Sequence, residues 1–346
     1  MTRAESRFDV AAVQAAPIWM DTSATIERAC SLIREAASQG ARLVAFPEVY
    51  VPGYPYWNWI MTPFEGSRWF RILSKQSVLV PGEHTNKLCA QARASSIYVV
   101  IGINERSPIS AGTIYNTNLV INPDGEIIGR HRKLVPTWAE KLTWGAGDGS
   151  SLRVYDTEIG HLGTLACGEN TNTLARFALL AQGEEIHVAN YPAFPFNQYD
   201  MVQAISLRAG AHSFEGKVFT IVASGVLTND IIDAVCATET QREMMTRKPN
   251  AMSAIFGPDG MIIGTPLIDD EGIVYAEIDL DLPIELKQMH DIVGHYNRFD
   301  VLSLHLNRSP LQPLFESGAQ PIREIMDTTA PSEQDPALQV NYRRNA

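Results

Sequence analysis

Cys167, Gly168, Glu169 and Asn170 stand between two segments of different character. Before them, residues 162–166 (LGTLA) form a short apolar run that reads as a buried strand. After them, Thr171, Asn172 and Thr173 offer N-cap side chains to LARFALLAQ, a stretch of helical composition. Gly183 stops that helix before the next strand, IHVANY. The cysteine therefore falls at a strand-to-helix turn, where partial positive charge and free N–H groups favour a thiolate and can bind a developing anion. Such a placement suits a nucleophile. Two groups of complementary chemistry sit in comparable places: Glu48 follows the apolar run RLVAF (42–46), and Lys133 follows a hairpin strand in EIIGRHRKL. Loops at the carboxyl ends of strands collect catalytic groups in open α/β sheets. Singly, such a carboxylate is more often a cap, the lysine solvated charge and the cysteine inert packing. Together they make a set of nucleophile, base and cation.

The pattern around them supplies the elements that must hold such a set. FDVAAVQAA reads as a strand, Asp21, Thr22 and Ser23 cap a helix running to about Ser38, and Gly40 ends it before RLVAF. Strand, helix and strand in succession form a βαβ-like unit, and the rhythm returns with a helix at 86–95 and the strand IYVVIGI (97–103). LVINPDGEIIG (119–129) and AIFGPDGMIIG (254–264) then share P-D-G-x-I-I-G, each reading as two strands joined by a Pro-Asp-Gly turn. Because each hairpin follows a βαβ-like region, a duplicated half-fold is favoured over chance reuse of a good turn. Two such halves packed sheet against sheet with helices outside give an α/β fold, a four-layer αββα sandwich. Residues 1–311 make this one domain. From Gln312 to Ala346 the chain is rich in Pro, Glu and Gln and reads as a tail without its own core.

Composition narrows the function further. The 346 residues are 45% hydrophobic and 19% charged, ordinary for a globular protein with a substantial core. A net charge of −11 argues against nucleic acid or an anionic membrane as partner. No stretch approaches the roughly 20 apolar residues of a membrane span, and the N-terminal segment lacks a signal-peptide core. Four scattered cysteines without metal-ligand spacing suit a reduced, cytoplasmic setting and predict no metal site. GAGDGS (145–150) has the glycine spacing of a nucleotide loop but no strand-to-helix context, so it reads as a plain loop. His187 could pair with Cys167 as in Cys–His hydrolases, although a strand histidine is more often a satisfied core residue.

With these residues in place, the chain resembles the carbon–nitrogen hydrolases of the nitrilase superfamily. FPE (46–48), HRKL (131–134) and ACGEN (166–170) match the three catalytic motifs of that family in order and spacing. PGYPYWNW (52–59) and VGHYNRFDVLSL (293–304) resemble its nitrilase branch more than its amidase branches. The resemblance spans about residues 8–304. It implies the αββα sandwich, a catalytic set of Glu48, Lys133 and Cys167, and Glu140 as a second, supporting glutamate. It implies no cofactor, and hydrolysis of a small to medium organic nitrile, aliphatic or arylaliphatic, to acid and ammonia through a cysteine thioimidate and thioester. An amidase of the same superfamily and a cyanide-hydrolysing enzyme are the alternatives. A catalytically silent assembly protein on this scaffold should have lost one of the three groups.

Tyr54 and Trp57, from the loop after Glu48, and Trp144, by its match to the family, are the expected pocket wall. Gly168 departs from the tryptophan that much of the family carries there and is expected to leave room beside the reacting carbon. The resemblance also implies a homo-oligomer, a dimer or a larger spiral assembly. Leu174, Phe177, Leu179 and Leu180 surround most of one helix, which must bury more than one face against a second subunit or against the chain's own C-terminal tail.

Overall fold

The computed structural model describes residues 6–196 and 200–314; the tail expected from Gln312 lies, beyond its first three residues, outside the described residues. Within the unit Met1–Leu311 the chain forms two six-stranded sheets. The first half contributes β1 (Arg7–Gln14), β2 (Ala41–Ala45), β3 (Tyr98–Arg106), β4 (Ile114–Ile121) and β5 (Ile127–Arg132). The second contributes β6 (Tyr155–Thr157), β7 (Gly160–Ala166), β8 (Ile186–Tyr191), β9 (Phe219–Ser224), β10 (Met252–Phe256) and β11 (Ile262–Ile268); β12 (Gly272–Asp279) follows.

The sheet orders, β12-β1-β2-β3-β4-β5 and β11-β10-β9-β8-β7-β6, are the same order read in opposite directions. Each sheet has a parallel trio, β1-β2-β3 or β7-β8-β9, extended by an antiparallel hairpin, β4-β5 or β10-β11. The two Pro-Asp-Gly turns close those hairpins, with Gly125 and Gly260 at φ +77° and +82°, where a side chain would be strained. The remaining place beside the trio is filled by β6 in one sheet and, from the far end of the domain, by β12 in the other.

Helix α1 (Thr22–Ser38) starts where Asp21 accepts from Ala24 N at 2.9 Å. Helices α2 (Trp57–Ile60) and α3 (Pro63–Gln76) fill the connection after β2, and α4 (Glu83–Ser95) leads into β3. Ile26, Ala29 and Ile33 of α1, with Leu88 and Ala92 of α4, cover Val13, Val44, Val99 and Ile101 on the outer face of the first sheet. Helix α5 (Thr173–Leu180) precedes β8, and α6 (Met201–Gly216) lays Met201, Ile205 and Ala209 over Ala189, Val222 and Ala254 of the second sheet. Between the sheets, Val10, Leu43, Val100 and Val120 meet Leu162, Ile186, Val188 and Ile221. The middle strands are buried on both faces, hence the continuous apolar runs. The layers are helix, sheet, sheet, helix, as the duplicated pattern suggested.

Two features fix this frame where it carries function. A buried amide pair pins the sheets together: Asn190 Nδ2 donates to Asn118 Oδ1 at 2.6 Å, and Asn118 Nδ2 donates to Thr164 Oγ1 at 2.8 Å. Gly102 on β3 lies directly against the turn that bears Glu48. A Cβ there would stand 2.3 Å from Val49 N and 2.5 Å from Pro47 O, both backbone atoms that cannot step aside. Gly102→Ala is therefore expected to cost about 1–3 kcal/mol of stability by overpacking, measured by urea unfolding. It should also lower turnover by at least about tenfold, because the Glu48 turn must shift.

Candidate active site

Glu48, Lys133 and Cys167 each stand just beyond a strand, after β2, β5 and β7. Local backbone strain gathers at the same places. Val49, Trp138 and Cys167 have φ of +40°, +45° and +45°, a region that non-glycine residues and branched ones above all avoid. Such strain persists only where the surroundings enforce it, and it concentrates at functional sites. Cys167 opens a 3-10 helix, Cys167–Thr171, whose Asn170 Nδ2 donates to the carbonyls of Leu165 and Cys167 at 3.2 and 3.0 Å. The turn is closed on itself around the cysteine.

Lys133 is the centre of the charged set. Its Nζ donates to Glu48 Oε1 at 2.8 Å and to Glu140 Oε2 at 2.7 Å, and all three side chains are almost wholly buried. Asn116 Nδ2 also donates to Glu48 Oε1, at 2.7 Å. Glu140 is held by Thr137 N at 2.6 Å and by the Tyr54 hydroxyl at 2.8 Å, which in turn accepts from Trp59 Nε1 at 3.1 Å. Glu48 Oε2, in contrast, is buried with no hydrogen-bond partner among the described residues. One oxygen of this carboxylate is thus anchored and the other is open for a proton.

The charges set each other's protonation. Burial pushes Glu48 up to about 7; Lys133 opposes the rise and Glu140 adds to it. Burial alone would lower Lys133, but Glu140 and Glu48 hold it well above the usual lysine value. Cys167 is pushed well above the ordinary thiol value by burial and then by Glu48, with Lys133 only partly compensating. The expectation that the helix terminus favours a thiolate therefore fails. Desolvation and a neighbouring carboxylate outweigh a single 3-10 turn and favour the neutral thiol at rest.

The expected pocket residues separate on inspection. Tyr54 joins the charged set through Glu140. Trp144 is buried with its ring 5.8 Å from Lys133 Nζ and its Nε1 bonded to Asn104 Oδ1 at 2.8 Å. Trp57 does not face the set: it stacks on Trp69 at 6.1 Å and meets Trp19 edge-on, inside an aromatic core. Two residues on, Trp59 faces Trp138, Phe194 and Phe196 and bonds Tyr54. Gly168 does not leave vacant space either. Its Cβ direction is occupied by Thr137 Oγ1 at 2.8 Å, so the missing side chain lets the Glu140-bearing segment close onto the Cys167 turn. GAGDGS is a packed loop, with Gly147 against the Arg132 carbonyl and Gly149 against that of Asn307.

His187 does not pair with Cys167: its Nδ1 meets Glu184 Oε1 at 2.7 Å and its Nε2 meets Asn170 Oδ1 at 2.8 Å. Glu184, His187 and His212 offer buried metal-ligand chemistry. Yet His212 Nε2 also lies 2.8 Å from Glu184 Oε2, and these are hydrogen-bond distances, shorter than the roughly 3.3 Å between two atoms ligating one tetrahedral zinc ion. The trio is a hydrogen-bonded network behind the Cys167–Thr171 turn. Asn116, Thr137 and Trp59 were missed by sequence reasoning. Asn116 and Asn118 did leave a trace, as two amides spaced by two, with Thr117 between them, in a strand that ends in the apolar run Leu119–Ile121.

Comparison with known proteins agrees with this geometry. The family model described as carbon-nitrogen hydrolase matches residues 9–288. An aliphatic nitrilase of Rhodococcus rhodochrous is 39% identical over 320 residues, 91% of this chain and 86% of the relative. A nitrilase of Bacillus sp. (strain OxB-1) is 38% identical over 90% of this chain and 91% of its own. An arylacetonitrilase of Aspergillus niger is 34% identical over 87% of this chain and 89% of its own. Nit3 of Saccharomyces cerevisiae, a member of branch 10 of the nitrilase superfamily, aligns with TM-score 0.66 at 23% identity, covering 82% of this chain and 94% of that one. At that identity the likeness speaks for the fold alone.

A carboxylate that takes a proton works only when ionised. Any reaction in which Glu48 accepts the thiol proton should fade as pH falls through about 7. The acid limb of kcat/KM is expected there, well above the range of an ordinary glutamate, and Glu48→Gln should lower the rate by orders of magnitude at every pH.

Proposed function

The chain belongs to the carbon–nitrogen hydrolase family, and we propose that it hydrolyses organic nitriles, aliphatic or arylaliphatic, with Cys167 as nucleophile, Glu48 as general base and Lys133 as the cation. The observation that carries this reading is the buried Lys133 clamped between two carboxylates beside a strained cysteine, in a chain whose similar relatives are nitrilases. A nitrile carbon is a modest electrophile and calls for a sulfur nucleophile. As Cys167 attacks, its proton passes to Glu48, whose open oxygen suits that transfer. The C≡N bond becomes C=N, and charge gathering on nitrogen is met by Lys133 and by the Gly168 N–H. Nitrogen then takes the proton from Glu48, giving a thioimidate.

Water adds to the C=N carbon while Glu48 moves its proton to nitrogen, ammonia leaves, and a thioester remains. A second water frees the carboxylic acid and restores the thiol. Two waters are consumed for one acid and one ammonia. If the tetrahedral species expels sulfur first, an amide leaves as a minor product. Glu140 fixes Lys133, and Tyr54 and Thr137 fix Glu140. The wall beside this set is aromatic, with Trp59 in contact with Trp138, Phe194 and Phe196; apolar walls select by size and shape.

A homo-oligomer, a dimer or a larger spiral assembly, belongs to the same reading. Leu304 and Leu306 of the chain's own C-terminal segment pack on the cluster of Leu165, Ala175 and Leu179 and so cover one side of α5. Leu174 on α5 and Leu207 on α6 stay 63% and 68% exposed, and a second subunit is the natural cover for them. No helix among the described residues is long and apolar enough to cross a membrane. The four cysteines are free thiols, which suits a reduced, cytoplasmic setting.

Ammonia release from a panel of aliphatic and arylaliphatic nitriles, set beside the matching amides, tests the function; faster turnover of the amides would overturn it. Cys167→Ala should abolish turnover with the fold intact, and mass spectrometry should find Cys167 alkylated before the other cysteines. Light scattering on the active protein should give a mass of at least two chains; a fully active 38.2 kDa monomer contradicts the oligomer.

A further inference from the structure

Glu169, two residues beyond Cys167, is buried and makes contacts that a local cap does not require. Its Oε2 accepts from Ala166 N at 2.9 Å, which closes the turn. Its Oε1 accepts from Leu134 N at 2.7 Å, across to the end of β5 in the other sheet. Ala166 immediately precedes Cys167 and Leu134 immediately follows Lys133. One carboxylate therefore ties together the backbone amides that flank the cysteine and the lysine.

The carboxylate is itself held by His131, whose Nε2 lies 3.1 and 3.2 Å from the two oxygens. On its other side His131 Nδ1 faces the Ser151 carbonyl and Ser151 Oγ, both at 3.3 Å. Ser151 Oγ gives its proton to the Asp148 carbonyl, so both atoms opposite Nδ1 are acceptors. This arrangement lets both ring nitrogens of His131 donate and favours the imidazolium. The charged groups around it are few. Glu169 comes from the nucleophile turn. Asp148, whose carboxylate is engaged with Ser150 and Leu311 N, comes from the loop 145–150. On β5 itself Arg130 and Arg132 turn to Glu105, Lys133 faces Glu48 and Glu140, and the cross-strand neighbour Asn118 is neutral.

We propose that Glu169 and His131 form a positioning pair that holds nucleophile and cation at their working separation across the two sheets. The proposal rests on the catalytic roles given above to Cys167 and Lys133. A cap of the 3-10 turn alone would account for the Ala166 bond but not for the bond to Leu134 or for a charged histidine buried behind it. The direction of both titrations fits. Burial pulls His131 down, but the Glu169 charge outweighs it and raises the ring above the ordinary histidine value. Burial pushes Glu169 up, but His131 and the two backbone donors hold it below the ordinary glutamate value. The pair is intact above the lowered Glu169 value and is lost as pH rises through the raised His131 value, so its window opens below the ordinary glutamate range and closes above the ordinary histidine value.

Two variants test this. Glu169→Gln keeps the shape but offers an NH2 group where backbone donors converge, so one of the two ties must break. A misplacement on the order of an ångström costs about 100-fold; kcat should fall by about that factor with KM within about threefold. Alkylation of Cys167 by iodoacetamide, followed by peptide mass spectrometry, should slow in parallel. His131→Gln keeps one donor to Glu169 but does not titrate. Its kcat should fall by only about tenfold, its alkaline limb should move to higher pH, and the acid limb set by Glu48 should stay in place. A Glu169→Gln enzyme with wild-type kcat and alkylation rate overturns the proposal. So does a His131→Gln enzyme whose rate loss matches its loss of folded protein while the pH profile is unchanged. The alkylation arm needs only the thiol, so it decides the positioning question even if Cys167→Ala retains turnover and the catalytic reading itself falls.

Discussion

The ammonium of Lys133, buried between Glu48 and Glu140, is the interaction on which the rest of this structure depends. Removing three charges from water carries a penalty of several kcal/mol per ion, and mutual attraction repays it only with good geometry and further hydrogen bonds. The structure supplies both. Each carboxylate has at least one donor besides the lysine: Asn116 for Glu48, Thr137 N and Tyr54 for Glu140. The count of charges is uneven, two negative against one positive. The surplus falls on Glu48, whose second oxygen has no donor among the described residues to stabilise a full charge. That asymmetry, and not burial alone, separates a structural glutamate from one poised near neutral pH.

Such a cluster is useful only if a thiol from the other sheet meets it, and much of the polar interior serves that registration. Lys133 and Glu48 belong to the first sheet and Cys167 to the second. The Asn118–Asn190 amide pair spans the gap, and Asn118 lies two residues along β4 from Asn116, which holds Glu48. Because strand side chains alternate between faces, both amides point to the same interior. Two glycines work by omission. Gly102 lets the Glu48 turn press onto β3, and Gly168 lets Thr137, and with it Glu140, close onto the nucleophile turn. A side chain at either position would push on backbone or on a residue that sets the charged cluster.

The duplicated architecture and the three strand-end groups were legible because they follow from local pattern: apolar runs, caps and a repeated Pro-Asp-Gly turn. What stayed hidden depends on contacts between distant segments. Nothing local tells that β12 rather than a nearer strand completes the first sheet. Trp57 and Trp59 share one short helix, and composition cannot say which ring enters the aromatic core and which turns to Tyr54. Gly168 read as open space because its neighbour in the fold, Thr137, is thirty-one residues away in sequence. Glu169 and His131 lay inside the motifs already singled out but passed as flanking residues, since their purpose is visible only when the two sheets are brought together.

The protonation of Cys167 bears on the chemistry as a whole. A helix terminus was expected to lower the cysteine, yet the half-buried thiol, with the Glu48 charge near it, is raised. Nitrile hydrolysis asks more of a site than nucleophilicity, because nitrogen must gain protons before it can leave as ammonia. A permanently ionised thiolate would have lost its proton to solvent before the substrate arrived. In the proposed mechanism a neutral thiol brings that proton into the site, and Glu48, pushed up to about 7, accepts it during attack and delivers it to nitrogen at little cost in either direction. Lys133, held well above the usual lysine value, keeps its charge throughout and does not compete for the proton. The same burial that makes the cysteine a poor thiolate at rest thus keeps the proton inventory of the reaction inside the protein.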